Sequence, residues 1–275
     1  MKQPISYKHF LPSQITTGTH TVSVTLVGAG GTGSLILNEL ARINHALKSL
    51  GHNGIDLTVY DPDSVSTANL GRQLFSPVDV GRNKAEVLCN RINRFFGNAW
   101  TAMPQSYPDS ARRETCIFIS AVDSAKARIT IAESFKKYPR PYLWLDAGNT
   151  ATSGQVIMGT VGRDRYSEIK HPDHIDVLPT VLNLYPNIEE ADEDTIQGPS
   201  CSLADALEKQ DLMVNRWVSS LACQVLWTGF RKGYLTHHGG FVNLNTLSVR
   251  PLPISPDAWK RMGFKYRKRR SKKKQ

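Results

Sequence analysis

The sequence predicts an α/β fold of Rossmann-like type: a doubly wound, mostly parallel sheet with helices on both faces and antiparallel strands towards the C-terminus. Three observations carry this. The short apolar runs are continuous rather than alternating, as strands buried on both faces require. Stretches with apolar residues at helical spacing separate them. The strand-helix-strand order leaves each connection long enough for a right-handed crossover.

Residues 22–28 form the first strand. Residues 33–50 form a helix, with Leu35, Leu37, Leu40, Ile43 and Leu47 near helical spacing, and residues 51–54 break it. The next strand is 55–60, ending at Asp61. A helix follows over 80–96, with Val87, Leu88, Ile92, Phe95 and Phe96 apolar. Residues 116–121 make a short buried strand and 124–137 a helix closed by Pro139. Residues 142–145 and 154–160 are the next strands. The stretch 162–199 holds Pro172, Pro179, Pro186 and Pro199 plus an acidic run at 189–194, and reads as a mobile crossover. One helix is expected over 202–229 and an edge strand over 241–251. The domain runs from 22 to 255, after an N-terminal extension over 1–21 and before a basic, disordered tail over 256–275.

The 275 residues carry a net charge of +10. Ten of the 34 basic residues lie between Lys260 and Lys274, where there is no acid, so the remaining 24 balance the 24 acidic ones. That tail is either a solvated end or a non-specific contact for nucleic acid through residues 260–275. No run approaches a membrane span, and the first residues lack a signal-peptide pattern, so the chain reads as cytoplasmic with no membrane contact. The four cysteines form no C-x-x-C pair, which argues against a zinc site, and a cytosolic chain of this size argues against disulfides.

Gly28-x-Gly30-Gly31-x-Gly33 follows a strand and opens a helix. Glycines there let the backbone approach a phosphate, and the helix N-terminus binds the anion. Asp61, at the end of the second strand, is placed to accept ribose hydroxyls; Asp63 either assists or caps the next turn. Arg72 and Lys84 turn the reading from nicotinamide towards ATP chemistry, because phosphoryl and nucleotidyl transfer need cations on phosphate oxygens. Asp123 follows another strand end, where an acid holds Mg²⁺ or caps the helix after it. Arg128 is near enough in sequence to pair with Asp123 or a phosphate.

These blocks, with Asn69-Leu70-x-Arg72-Gln73, Gly81-x-x-Lys84 and Val122-Asp123, resemble the ThiF/MoeB/HesA superfamily of ubiquitin-activating-type enzymes, from about residue 22 to residue 159. The chain's size and basic end look most like the ThiF-related proteins of PRTRC systems. The resemblance implies adenylation by ATP and Mg²⁺ of the C-terminal glycine carboxylate of a small ubiquitin-like (β-grasp) protein, in a homodimer. It lays Gly30 and Gly31 along the phosphates and Asp61 on the ribose. Asn69, Arg72 and Lys84 then contact phosphates or the carboxylate, Gln73 belongs to the same nucleotide motif, and Asp123 is the metal ligand.

Cys201 follows the acidic crossover at a helix start, where a lowered pKa would favour acyl transfer; relatives that only adenylate leave such a cysteine idle. Many relatives also use an N-terminal arginine. Residues 1–41 contain none, and Lys2, Lys8 and His9 are the substitutes at hand. His171, Asp173 and His174 suggest a weak metal set, and His237-His238 beside two glycines suggest a turn. Two alternatives stay open: a non-catalytic ATP-binding and dimerisation module with a nucleic-acid-binding tail, and a nicotinamide oxidoreductase that leaves Arg72 and Lys84 unexplained.

Overall fold

The computed structural model describes residues 7–107, 115–137, 142–161, 169–189 and 203–267. Its main sheet has eight strands: β2 (Val22–Val27), β3 (Ile55–Tyr60), β4 (Thr101–Met103), β5 (Ile117–Ser120), β6 (Leu143–Asn149), β7 (Ser153–Thr160), β9 (His237–Asn243) and β10 (Ser248–Pro253). They lie in the order β10-β9-β7-β6-β5-β2-β3-β4. The β6-β5-β2-β3-β4 part is parallel, and β7, β9 and β10 continue it antiparallel. A two-stranded ribbon pairs β1 (His9–Phe10) with β8 (Tyr234–Leu235), and the short α1 (Ser13–Thr16) follows β1. The expected fold class is the one observed.

The chain moves outward from β2 to β3 and β4, then returns to β5 on the other side of β2. With right-handed crossovers, α2 (Gly31–Ser49) and α3 (Lys84–Phe96) therefore cover one face and α4 (Ala125–Lys137) the other. The order reverses between β2 and β5, which opens a crevice beyond their carboxyl ends. Val22, Val24 and Leu26 on β2 and Ile117, Phe118 and Ile119 on β5 are buried, so the crevice stands on a rigid base.

Several boundaries differ from the sequence expectation. Helix α3 starts at Lys84, because the Asn83 side chain accepts from the Glu86 amide and caps it there. The single helix expected over 202–229 is two, α6 (Leu203–Lys209) and α7 (Val214–Lys232). Between them the Asp211 carboxylate accepts from the Met213 amide, and the Asp211 amide donates to the Ala151 carbonyl. Within the expected crossover, residues 169–189 bury Ile175, Leu178, Val181 and Leu184 around the short α5 (Val181–Leu184); its other residues lie outside those described.

The C-terminal stretch also packs earlier than its charge suggests. Ser255 caps α8 (Pro256–Arg261), whose Trp259 is fully buried, and the Tyr266 hydroxyl donates to Asp176. The stretch expected to be disordered from 256 onward is thus built into the domain as far as Arg267, and 268–275 lie outside the described residues.

The expected edge strand over 241–251 is a hairpin of β9 and β10. Its turn holds Leu247 at φ 48°, the one described non-glycine residue with positive φ, and the side chain is 77% exposed. Left-handed backbone strains a leucine but suits asparagine. Leu247→Asn is expected to raise stability by about 1 kcal/mol. A thermal midpoint unchanged by the substitution would contradict this. No helix among the described residues is long and apolar enough to cross a membrane.

Candidate functional site

The glycine turn lies between β2 and α2. Gly28 has φ 94°, and a Cβ there would lie 2.5 Å from the Ala121 carbonyl oxygen. A Cβ on Gly33 would lie 1.8 Å from the Gly28 carbonyl oxygen. Both positions exclude side chains, so the turn fits tightly against β5 and against itself. At Gly30 nothing lies within 4 Å of the Cβ position, which leaves an open cradle over the helix N-terminus.

Asp61 closes β3 and is buried. Its Oδ2 accepts from the Ala29 amide at 2.6 Å and its Oδ1 from the Asp63 amide at 2.9 Å, so it fastens the glycine turn to the next loop. Burial pushes its carboxyl pKa up, against the pull of these two amides and of Lys84. Two bonded oxygens still leave lone pairs for ribose hydroxyls.

Lys84 is the first residue of α3. Its Nζ meets Asp63 Oδ2 at 2.8 Å, with the lysine side chain 10% exposed and the aspartate 63%. Asn83 Nδ2 donates to the carbonyls of Asp61 and Asp63, and the Lys84 amide donates to the Asp63 carbonyl. Asp61, Asp63, Asn83 and Lys84 therefore form one bonded corner beside the turn.

Arg72 lies on a loop between two short 3₁₀ turns. Its Nη1 donates to Gln210 Oε1, and burial lowers its pKa. Asn69 Oδ1 accepts from the Ser66 amide, so this residue also shapes its own turn. Gln73 is buried beside it in sequence. Gln73 Oε1 and Arg72 Nε are both buried with no protein partner among the described residues.

Asp123 is exposed and forms no ion pair among the described residues. Beside it, Ser124 Oγ accepts from the Ala127 amide and caps the first turn of α4. Arg128 pairs with neither Asp123 nor an open cleft. It is buried against Asp146, with Nε 3.1 Å from each carboxylate oxygen, and its Nη2 donates to the Val122 carbonyl at 2.8 Å.

Cys201 lies outside the described residues. Cys89 and Cys223 are buried, and burial pushes their thiols up, Cys89 to about 12, so both are inert core residues. His9 is fully buried with Nδ1 on the Ile175 carbonyl, which rules it out as a substitute for a catalytic arginine. The Lys8 ammonium sits over the Tyr234 ring at 4.5 Å. His237 and His238 lie in β9 rather than in a turn. No group of three or more His, Cys, Asp or Glu among the described residues could hold a metal ion, which sets aside the metal reading of His171 and His174.

The donor set of the crevice fits a nucleotide polyphosphate with its cation: free amides over an open turn, two cations, and one unpaired acid. A family model described as the ThiF family matches residues 16–204. The chain belongs to the ThiF family.

Two curated relatives of this ThiF-family chain carry ubiquitin in their names. Ubiquitin-activating enzyme E1 1 of Candida albicans is 28% identical over 182 residues, covering 60% of this chain and 17% of the relative. The ATP-dependent ubiquitin transferase-like protein Cap2 of Enterobacter hormaechei is 33% identical over 103 residues, 38% of this chain and 14% of the relative. The chain thus spans less than a fifth of either. Among solved structures, PaaA covers 85% of this chain and 73% of its own at TM-score 0.57 and 15% identity. E. coli MccB with ATP covers 88% and 66% at TM-score 0.54 and 16% identity. At such identities these two speak for the fold alone.

Asn83, Gln210 and Asn215 were absent from the sequence reading. Asn83 had a legible signal, an Asn three residues before an acid at the head of an amphipathic helix. Gln210 and Asn215 had none, since their partners are far away in sequence.

Proposed function

We propose that this ThiF-family chain adenylates a carboxylate, and that its substrate is the C-terminal glycine of a small ubiquitin-like (β-grasp) protein. The observation that carries the reading is the crevice between β2 and β5. It joins an open glycine turn to the Asp61-Asp63-Lys84 corner, and the exposed Asp123 follows β5 along its other side.

The amides from Gly30 to Gly33, at the α2 N-terminus, hold the phosphates. Asp61 orients the ribose. Arg72 and Lys84, assisted by Asn69 and Gln73, face the phosphates and the incoming carboxylate, which otherwise repel each other. A carboxylate oxygen bonds to the α-phosphorus while the bond to the β-phosphate oxygen breaks, giving an acyl-adenylate and pyrophosphate. Asp123 would hold Mg²⁺, which would supply neutralising charge to the phosphates. Acyl transfer to Cys201 and pairing of two copies of the chain are further parts of the proposal.

The test is pyrophosphate exchange that depends on a glycine-terminated β-grasp protein. Arg72→Ala and Lys84→Ala are each expected to lower exchange by about 10²–10³-fold, the usual cost of one preorganised charge-stabilising group. Exchange that survives Arg72→Ala combined with Asp123→Ala would remove these roles. ATP binding without exchange would favour the non-catalytic module.

A further inference from the structure

A run of side-chain hydrogen bonds leads from Arg72 through two amides, Gln210 and Asn215, to the glycine turn. The Arg72 guanidinium donates through Nη1 to Gln210 Oε1. The same oxygen accepts from Asn215 Nδ2 at 3.1 Å. Asn215 Oδ1 in turn accepts from the Thr32 hydroxyl at 3.0 Å, and that hydroxyl also reaches Asn149 Oδ1 at 3.0 Å. Thr32 is the second residue of α2, inside the glycine turn.

Asn215 is buried and presses on the turn directly. A Cβ on Gly31 would lie 2.7 Å from its Nδ2, so Gly31 is glycine because this amide occupies the space. Gln210 sits in the break between α6 and α7, and α6 rests on the 3₁₀ turn at residues 67–69 just before Arg72. The break in the expected single helix therefore has a consequence for the site. It lets one amide side chain receive donors from both directions.

We propose that Gln210 and Asn215 are positioning residues that hold the Arg72 cation in fixed register with the glycine turn, so that both engage one polyphosphate. An unrestrained arginine loses about 2 kcal/mol of side-chain freedom on binding. A fixed one has met that cost during folding. The proposal rests on the nucleotide reading above and adds to it the residues that preorganise the cation.

The experiment is calorimetric titration of the full chain with Mg-ATP, with AMP and with inorganic tripolyphosphate. Gln210 is only half-buried, so Gln210→Leu should fold, and unchanged circular dichroism would verify it. Gln210→Leu is expected to weaken ATP and tripolyphosphate about tenfold, the worth of one charge-assisted contact, and to leave AMP unchanged. Gln210→Glu keeps an acceptor for both donors but sets an anion beside the phosphates, so it is expected to weaken ATP and tripolyphosphate through charge while leaving AMP less affected. Gln210→Leu added to Arg72→Ala should cost nothing more. Equal or tighter ATP binding by Gln210→Leu, or an equal loss for AMP, would overturn the positioning role while leaving nucleotide binding intact. A wild-type chain that binds neither ATP nor tripolyphosphate would overturn both readings together.

Discussion

Between pH 7.5 and pH 5 the chain is expected to lose about 4 kcal/mol of stability through two buried histidines. His238 is fully buried. Its Nε2 accepts from Trp259 Nε1 at 2.9 Å, so that nitrogen carries no proton and Nδ1–H donates to the Met158 carbonyl at 2.7 Å. Protonating Nε2 would set two donors face to face. Burial lowers its pKa to about 4, against the pull of the Met158 carbonyl and with His237 nearby. His9, equally buried, is lowered to about 3 by burial, offset by the Ile175 carbonyl and reinforced by His174 and His238.

Both folded pKa values lie below the unfolded value of 6.5. The stabilising contribution is therefore full above pH 6.5. It is lost as pH falls and the unfolded chain takes up protons that the folded chain refuses. The slope for each group is about 0.7 kcal/mol per pH unit at pH 6.5 and approaches about 1.4 below it. Urea midpoints at pH 7.5 and pH 5 measure the loss. His238→Gln keeps one donor and one acceptor but does not titrate, so it should roughly halve the slope. Equal midpoints at the two pH values would refute the assignment.

The same histidine marks where the sequence stopped being legible. The central strands and their helices could be read because continuous apolar runs and helical spacing are local signals. The pair at 239–240 was not, since glycine beside histidines suggests a turn. Gly239 is instead inside β9, where a Cβ would lie 1.9 Å from the Val156 carbonyl oxygen. Its cause is a neighbouring strand some eighty residues earlier. Strands β1 and β4, two and three residues long, are too short for any period to show.

The site divides in the same way. Gly28, Asp61, Lys84 and Asp123 could be picked out because each stands at the end of an element. The groups that hold them could not: Gln210 is 138 residues from Arg72, and Asn215 is 183 from Thr32. The tail misled through its charge. Ser255-Pro256-Asp257 is an ordinary helix start, but ten basic residues after it suggested disorder that would have left Trp259 exposed.

Breaking the Arg128–Asp146 pair from one side should cost about 3–5 kcal/mol of stability. Both side chains are almost wholly buried, and Asp146 also accepts from the Ser120 hydroxyl at 2.6 Å. Ser120 is opposite Asp146 in the β5–β6 register and receives the Trp144 indole at 2.7 Å. Arg128→Met would strand a buried carboxylate in this cluster, and Asp146→Leu would strand a buried cation. The double variant leaves no unpaired charge and is expected to recover much of the loss. It would not recover the bond from Arg128 to the Val122 carbonyl, which fixes the residue immediately before Asp123. The double variant should therefore fold well yet bind Mg-ATP more weakly than the wild type, with AMP little affected. Denaturant unfolding and calorimetry separate the two effects. Single variants as stable as the wild type would show that the pair is not the anchor of this corner, and a stable double variant with unaltered Mg-ATP affinity would show that Asp123 needs no support from Arg128.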